Sequence, residues 1–254
     1  MTVAARAITP STTGTHPEII EPIRLGGLLD LPPLADGAGP GGRDVRIWSL
    51  DTTTVGTTEL DEARPWFDPE EQEQASSYVR AELRQAYEVA HAAARRVIGA
   101  VTDQDPAAIT WGRHDCPGCG EPHGRPRVEG ADVEFSLAHT PGLVLVAVSE
   151  HQVGVDVERY PDPADLPGLL GILHADEVAE VEQAEEPEDA VRRFTRAWTR
   201  TEAYLKGVGI GLGRDPQTDY LGTAAIPERE IEGWLVRDVR VPDGFGAAVA
   251  THPR

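Results

Sequence analysis

The stretch Val153-Gly154-Val155-Asp156-Val157-Glu158 leaves little freedom in local structure. Strict alternation with a β-branched residue at every second position predicts a strand, with Val153, Val155 and Val157 on one face. Asp156 and Glu158 then share the opposite face. Two carboxylates leaning together repel unless a cation or basic group lies between them, and oxygen-only ligands suit Mg²⁺ holding a phosphorylated substrate. The alternative is a solvated strand face.

A second stretch supplies the counter-charge. From Arg196 to Gly213 the spacing predicts a helix that places Trp198, Glu202 and Lys206 four residues apart on one face. Phe194, Trp198, Thr201 and Leu205 form its apolar stripe, and Gly207 reads as the C-terminal stop. Lys206 is the sole lysine among 23 basic residues. Arginine everywhere else and lysine here suggests that a compact ammonium is needed at this position.

The formal charge of −20 argues against nucleic acid as a partner, because phosphate attraction needs a basic face. No apolar run is long enough to span a bilayer, and the N-terminus lacks a basic start and apolar core; a cytoplasmic protein with no membrane partner is expected. Two cysteines in 254 residues do not make a disulfide framework.

Residues 1–43 are rich in Pro, Gly, Thr and Ala and read as a flexible tail, with Leu25 to Leu34 as a possible arm. Val45 to Leu50 predicts a strand, and Asp68-Pro69-Glu70-Glu71 carries the cap, first-position proline and acidic first turn of a helix start. Tyr87 to Gly99 continues in helix. Gly112 to Arg127 reads as a loop holding His114, Cys116, Cys119 and His123. Zinc is the less favoured reading there, since structural sites usually separate two ligand pairs by a longer loop; the preferred one is a turn with two free thiols. Val133 to Val148 predicts two strands joined at Pro141-Gly142, with His139 ending the first. His174-Ala175-Asp176-Glu177 opens a helix that runs through an acidic stretch, Glu180 to Asp189, most of which is expected to be a solvated face. Short strands are expected at Asp215–Tyr220, Gly233–Val241 and Phe245–Thr251.

Val45 and Val153, Asp68 and Asp176, and Gly99 and Gly207 each lie 108 residues apart, a hint of two similar α+β halves spanning 44–152 and 153–254.

The chain resembles the surfactin-type 4′-phosphopantetheinyl transferases. The resemblance rests on Gly154-Val155-Asp156-Val157-Glu158 and on Ala197-Trp198-Thr199-Arg200-Thr201-Glu202-Ala203-Tyr204-Leu205-Lys206. Phe135 to His139, Gly124-Arg125-Pro126, Gly207 to Leu212 and the Asp68 to Gly99 helices extend it, so that it covers about Asp44 to the C-terminus. It implies an α+β pseudo-dimer of two halves, with coenzyme A in the cleft between them. It also implies Mg²⁺-dependent transfer of the 4′-phosphopantetheine arm to a serine of an acyl or peptidyl carrier protein, releasing adenosine 3′,5′-bisphosphate. Carried over by position, Asp156, Glu158 and Glu202 would be metal ligands, Glu202 also the base, and Lys206 a phosphate contact. His139 would touch the nucleotide phosphates and Arg125 would stand near coenzyme A. The chain departs from the family at Pro69 to Gln74, where many members carry basic residues that grip coenzyme A; Arg80 or Arg84 could substitute. It departs again at Ala138, where serine is common.

The two-half form suggests a monomer. Docking of the acidic carrier would fall to apolar contacts and to Arg192, Arg193, Arg196 and Arg200, if that face is exposed. The pathway served, whether fatty-acid, polyketide or nonribosomal peptide, stays open. A coenzyme A or carrier binding module that has lost catalysis, and a zinc-knuckle interaction protein, are the alternatives.

Overall fold

The computed structural model describes residues 19–30, 45–226 and 230–252. Two sheets form the centre. The first runs in the order β1 (Ile23–Arg24), β2 (Val45–Asp51), β6 (Leu143–Ser149), β5 (Glu134–Thr140), β4 (Pro126–Val128), β3 (Trp111–Arg113). The second runs β7 (Val153–Arg159), β10 (Phe245–Thr251), β9 (Trp234–Asp238), β8 (Glu230–Ile231). Helices α1 (Thr57–Ala63), α2 (Pro69–Ser77) and α3 (Ala81–Thr102) accompany the first sheet; α4 (Leu166–Leu169), α5 (Ala175–Glu182) and α6 (Pro187–Val208) accompany the second. The protein is therefore an α+β fold of two sheet-and-helix halves. No described helix is long and apolar enough to cross a membrane.

Alternation within the strands sets the layers. On β6, Val144, Val146 and Val148 join α3 in one core, while Leu143, Leu145 and Ala147 face the other way. That second face meets Val153, Val155 and Val157 of β7 and Ala247 and Val249 of β10. The sheets thus pack through an apolar seam, crossed by a hydrogen bond from Val155 N to Ser136 Oγ of 3.0 Å. On the far face of the second sheet, Ala248 and Ala250 meet Ala203, Tyr204 and Leu205 of α6. Helix, sheet, sheet and helix follow in four layers, α3 and α6 outermost.

Each half holds a buried arginine that replaces water for several polar groups. Arg95, fully buried, donates to Asp68 Oδ2 at 3.0 Å, Glu71 Oε2 at 2.7 Å and the carbonyls of Pro106 and Ile109. Arg200, also fully buried, makes two bonds to Asp238 at 2.8 and 2.9 Å and reaches the carbonyls of Gly222 and Ala224. Such forks are tolerated inside because every guanidinium nitrogen is hydrogen-bonded.

Several sequence expectations are corrected. Asp68 caps α2 through a capping box with Glu71, as its residues predict, but the equivalent box in the second half is His174 with Glu177; Asp176 lies inside the first turn. Gly99 and Gly207 lie within α3 and α6, which end at Asp103 and Gly209, both left-handed. Asp215–Tyr220 is no strand: the Asp215 side chain caps a 3-10 turn at Pro216–Thr218. The loop from Gly112 to Arg127 contains β3 and β4, paired Trp111 to Val128 and Arg113 to Pro126.

Residues 19–30, part of the expected tail, are built into the body: Ile20 bridges to Val239, β1 pairs with β2, and Leu25 and Leu28 are buried in the first core. The rest of the tail reading, 1–18 and 31–43, lies outside the described residues. The four arginines also do not form one exposed docking face, because Arg200 is buried and Arg196 donates to Thr223 O.

The contact most sensitive to substitution is at Gly154. A methyl there would lie inside van der Waals contact with the backbone of Ala203 and Gly207 on α6, and neither backbone can rotate away. Gly154→Ala is expected to lower unfolding free energy in urea by ~1–3 kcal/mol. A change under ~0.5 kcal/mol would mean α6 is not held against β7.

Candidate active site between β7 and α6

The face of β7 opposite the valines presents Gly154, Asp156 and Glu158 to α6. Gly154 lets the helix approach, so the last two turns of α6 pass over Asp156. Asp156 is buried, and its Oδ1 accepts from Lys206 Nζ at 2.6 Å. Its second oxygen, Oδ2, is buried with no hydrogen-bond partner. An unpaired buried carboxylate oxygen is costly, so this atom is an acceptor waiting for a cation or donor.

Glu158 and Glu202 crowd the same field. Burial pushes Glu158 up to about 7, Asp156 adds repulsion, Lys206 relieves part of it, and Glu202 repels further. The Trp198 side chain hydrogen-bonds Glu158 and partly offsets the shift. Glu202 is raised by burial and then by Asp156, with Lys206 opposing. Asp156 itself is pushed up by burial, against the pull of Lys206. Three carboxylates raised together next to one ammonium form a site short of positive charge. The carboxylates are not drawn into one tight cluster. Among the described residues, the group whose metal-ligating atoms all lie within 4.8 Å of one another is Cys116, Cys119 and His123.

The C-terminal end of α6 is held by Arg125, which donates to the carbonyls of Gly207 at 3.2 Å and Val208 at 3.3 Å and reaches Glu134 Oε2 at 3.4 Å. Arg125 thus satisfies helix-end carbonyls that would otherwise lack partners. Gly207 is required where it stands because Trp234 packs against it, its ring 2.5 Å from where a Cβ would lie.

His139 is exposed at the end of β5, yet desolvation by the surrounding walls, then the proximity of His91 and Lys206, lowers its pKa. A neutral imidazole is therefore expected there at neutral pH. His91, on α3, was not singled out from sequence. It stacks on Tyr87 with ring centroids 4.0 Å apart, and its Nδ1 lies 2.8 Å from Glu71 Oε1. Its sequence signal, a histidine on an alanine-rich helix, also describes an ordinary core residue. Arg84 lies elsewhere, lining a cavity with Asp61, Arg64, Gln72 and Glu88, and donates to Tyr78 O at 3.4 Å. Glu71, within the acidic helix start, is a buried hub for His91, Arg95 and Trp111 and is held at about 2 despite burial.

Lys206 and Asp156 should be energetically coupled. With metal chelated, Lys206→Met is expected to cost ~2 kcal/mol of stability, less than the upper range for buried pairs because the lysine is partly exposed. Adding Asp156→Asn should recover most of that loss, as read by urea unfolding of the four proteins in the cycle. Additive losses would show that the pair does not govern the site.

The chain is similar to several known proteins. The family model described as the 4′-phosphopantetheinyl transferase superfamily matches residues 152–236, the segment holding β7, α6 and Trp234. The chain is 23% identical over 210 residues to the 4′-phosphopantetheinyl transferase HetI of Nostoc sp., covering 82% of this chain and 87% of that one. It is 31% identical over 90 residues to the 4′-phosphopantetheinyl transferase gsp of Aneurinibacillus migulanus, covering 35% and 37%. It is 26% identical over 113 residues to a 4′-phosphopantetheinyl transferase of Bacillus subtilis, covering 42% and 45%. The part of the chain that carries the β7 and α6 motifs, facing each other across one charged site, is thus the part similar to the 4′-phosphopantetheinyl transferase superfamily, and the chain as a whole is similar to transferases of that kind.

Proposed function

We propose that this protein transfers the 4′-phosphopantetheine arm of coenzyme A to a serine hydroxyl of an acyl or peptidyl carrier protein, with Mg²⁺ as cofactor. The observation that carries the reading is the buried, unpartnered Oδ2 of Asp156 beside Glu158, Glu202 and Lys206. These donors fit a hard divalent cation: they are oxygen-only, mutually repelling and raised in pKa. Asp156, Glu158 and Glu202 would hold it, and when bound it would neutralise the diphosphate of coenzyme A.

The serine oxygen attacks the phosphorus on the pantetheine side of the diphosphate. The bridging P–O bond breaks, and adenosine 3′,5′-bisphosphate departs with the bond's electron pair. Glu202, ionised beside the cation it would help to hold, is the carboxylate placed to accept the serine proton. Lys206, released from Asp156 once other positive charge is present, turns its ammonium to the phosphates and stabilises the developing charge on the leaving group. His139 meets the nucleotide phosphates as a neutral donor. Arg125 serves coenzyme A chiefly by fixing the end of α6, with its guanidinium available if those carbonyl bonds open. We infer a cytoplasmic monomer acting on carrier proteins and not on nucleic acid or membranes, consistent with a charge of −20.

The test mixes the protein with coenzyme A, Mg²⁺ and a panel of apo carrier proteins and weighs the carriers. A mass gain of one phosphopantetheine on at least one carrier is expected, and no gain on any would sink the proposal. Glu202→Gln should lower kcat by ~10²–10⁴ without loss of folding. Asp156→Asn should raise the Mg²⁺ concentration needed for half-maximal rate. Lys206→Arg should also be impaired, since a planar fork does not replace a compact ammonium.

A further inference from the structure

The hairpin between β3 and β4 carries chemistry that the transfer reaction does not use. Its stem is closed by His114 N to Arg125 O at 2.9 Å and Gly124 N to His114 O at 2.9 Å. Its tip folds on itself: Cys116 N donates to Glu121 O at 2.7 Å, Gly120 N to Cys116 O at 2.8 Å, and His123 N to Glu121 O at 2.8 Å. Gly120 takes the left-handed conformation, φ +81°, which lets the chain reverse immediately after Cys119.

This turn gathers three soft donors. The ligand atoms of Cys116, Cys119 and His123 all lie within 4.8 Å of one another, and Cys119 Sγ is 3.0 Å from His123 Nε2. In a tetrahedral zinc site, bond lengths of ~2.0–2.3 Å put ligand atoms roughly 3.3–3.8 Å apart, so little movement is needed. The sulfur of Cys116 also accepts hydrogen bonds from the backbone N–H groups of Gly118 and Cys119. A turn that aims two amides at one sulfur is built for a thiolate, the form that binds metal. Both cysteines are free.

We propose that Cys116, Cys119 and His123 bind one zinc ion through three protein ligands, with the fourth position open to water. His114, the other nearby histidine, is not grouped with these three atoms; its Nε2 lies 3.0 Å from Glu134 Oε1. The ion would brace the hairpin against the end of α6. Gly118 lies beneath Ile210, which a Cβ would meet at 3.1 Å, and Arg125 at the base of the hairpin holds the carbonyls of Gly207 and Val208. Zinc would then stiffen the residues that follow Lys206 without taking part in the transfer chemistry.

The test uses the full chain without an affinity tag, purified without chelator, and measures zinc by elemental analysis. About one zinc per chain is expected in the wild type. The Cys116→Ser/Cys119→Ser double variant should lose at least nine-tenths of it, and His123→Ala should bind at least tenfold more weakly. Cobalt(II) added to the metal-free wild type should give thiolate-to-cobalt charge-transfer absorption that the double variant lacks. Should the variants fail to fold, alkylation of the wild type decides alone: zinc should slow iodoacetamide labelling of exposed Cys119 at least tenfold. Zinc uptake no greater in wild type than in a folded double variant, cobalt spectra without thiolate bands, or labelling unaffected by zinc would each overturn the proposal.

Discussion

Helix α6 reaches the surface of β7 because Gly154 carries no side chain, and that approach brings Lys206 to Asp156. The strand contributes its valines to the seam between the sheets and its acids to the helix, so one alternating segment both joins the two halves and equips the site. The cost is electrostatic. Three carboxylates are held where water is partly excluded, and a single ammonium does not satisfy them, leaving Asp156 Oδ2 unpartnered. A protein keeps such an arrangement when a ligand brings the missing charge.

The surrounding structure serves to hold α6 still. Arg200 ties the helix to Asp238 on β9 and to the chain after Leu221, while Trp234 closes on Gly207 and Gly209 ends the helix in a left-handed turn. Arg125 reaches from the first half to cap the last carbonyls. The segment 19–30 straps both sheets, bridging at Ile20 to the second and pairing through β1 with the first. A displacement of α6 would therefore disturb contacts in both halves, which is why small changes at Gly154 or Gly207 matter more than their size suggests.

Much of the site was legible because its signals are periodic. Alternation placed Asp156 and Glu158 opposite the valines, and four-residue spacing placed Trp198, Glu202 and Lys206 on one face. What failed were several inferences from a residue type whose role depends on a distant partner. Gly207 looks like a stop, yet it is a helical glycine demanded by Trp234. Arg200 looks like surface charge because sequence cannot show Asp238 or the carbonyls that enclose it. Pro126 and Gly112 disguise two short strands as loop, and Leu25 and Leu28 sit in a composition that reads as tail. His91 carried no signal beyond its identity; only folding sets it against Glu71 and in the field of His139.

On the proposed function, β7 and α6 would form a site that a divalent cation and coenzyme A complete. A crystal structure with Mn²⁺ and coenzyme A, read by manganese anomalous scattering, tests it most directly. A single strong peak is expected on the carboxylates of Asp156, Glu158 and Glu202, with Lys206 turned from Asp156 to the diphosphate. A peak elsewhere, or coenzyme A bound with the Lys206–Asp156 pair intact and no metal on those carboxylates, would contradict it.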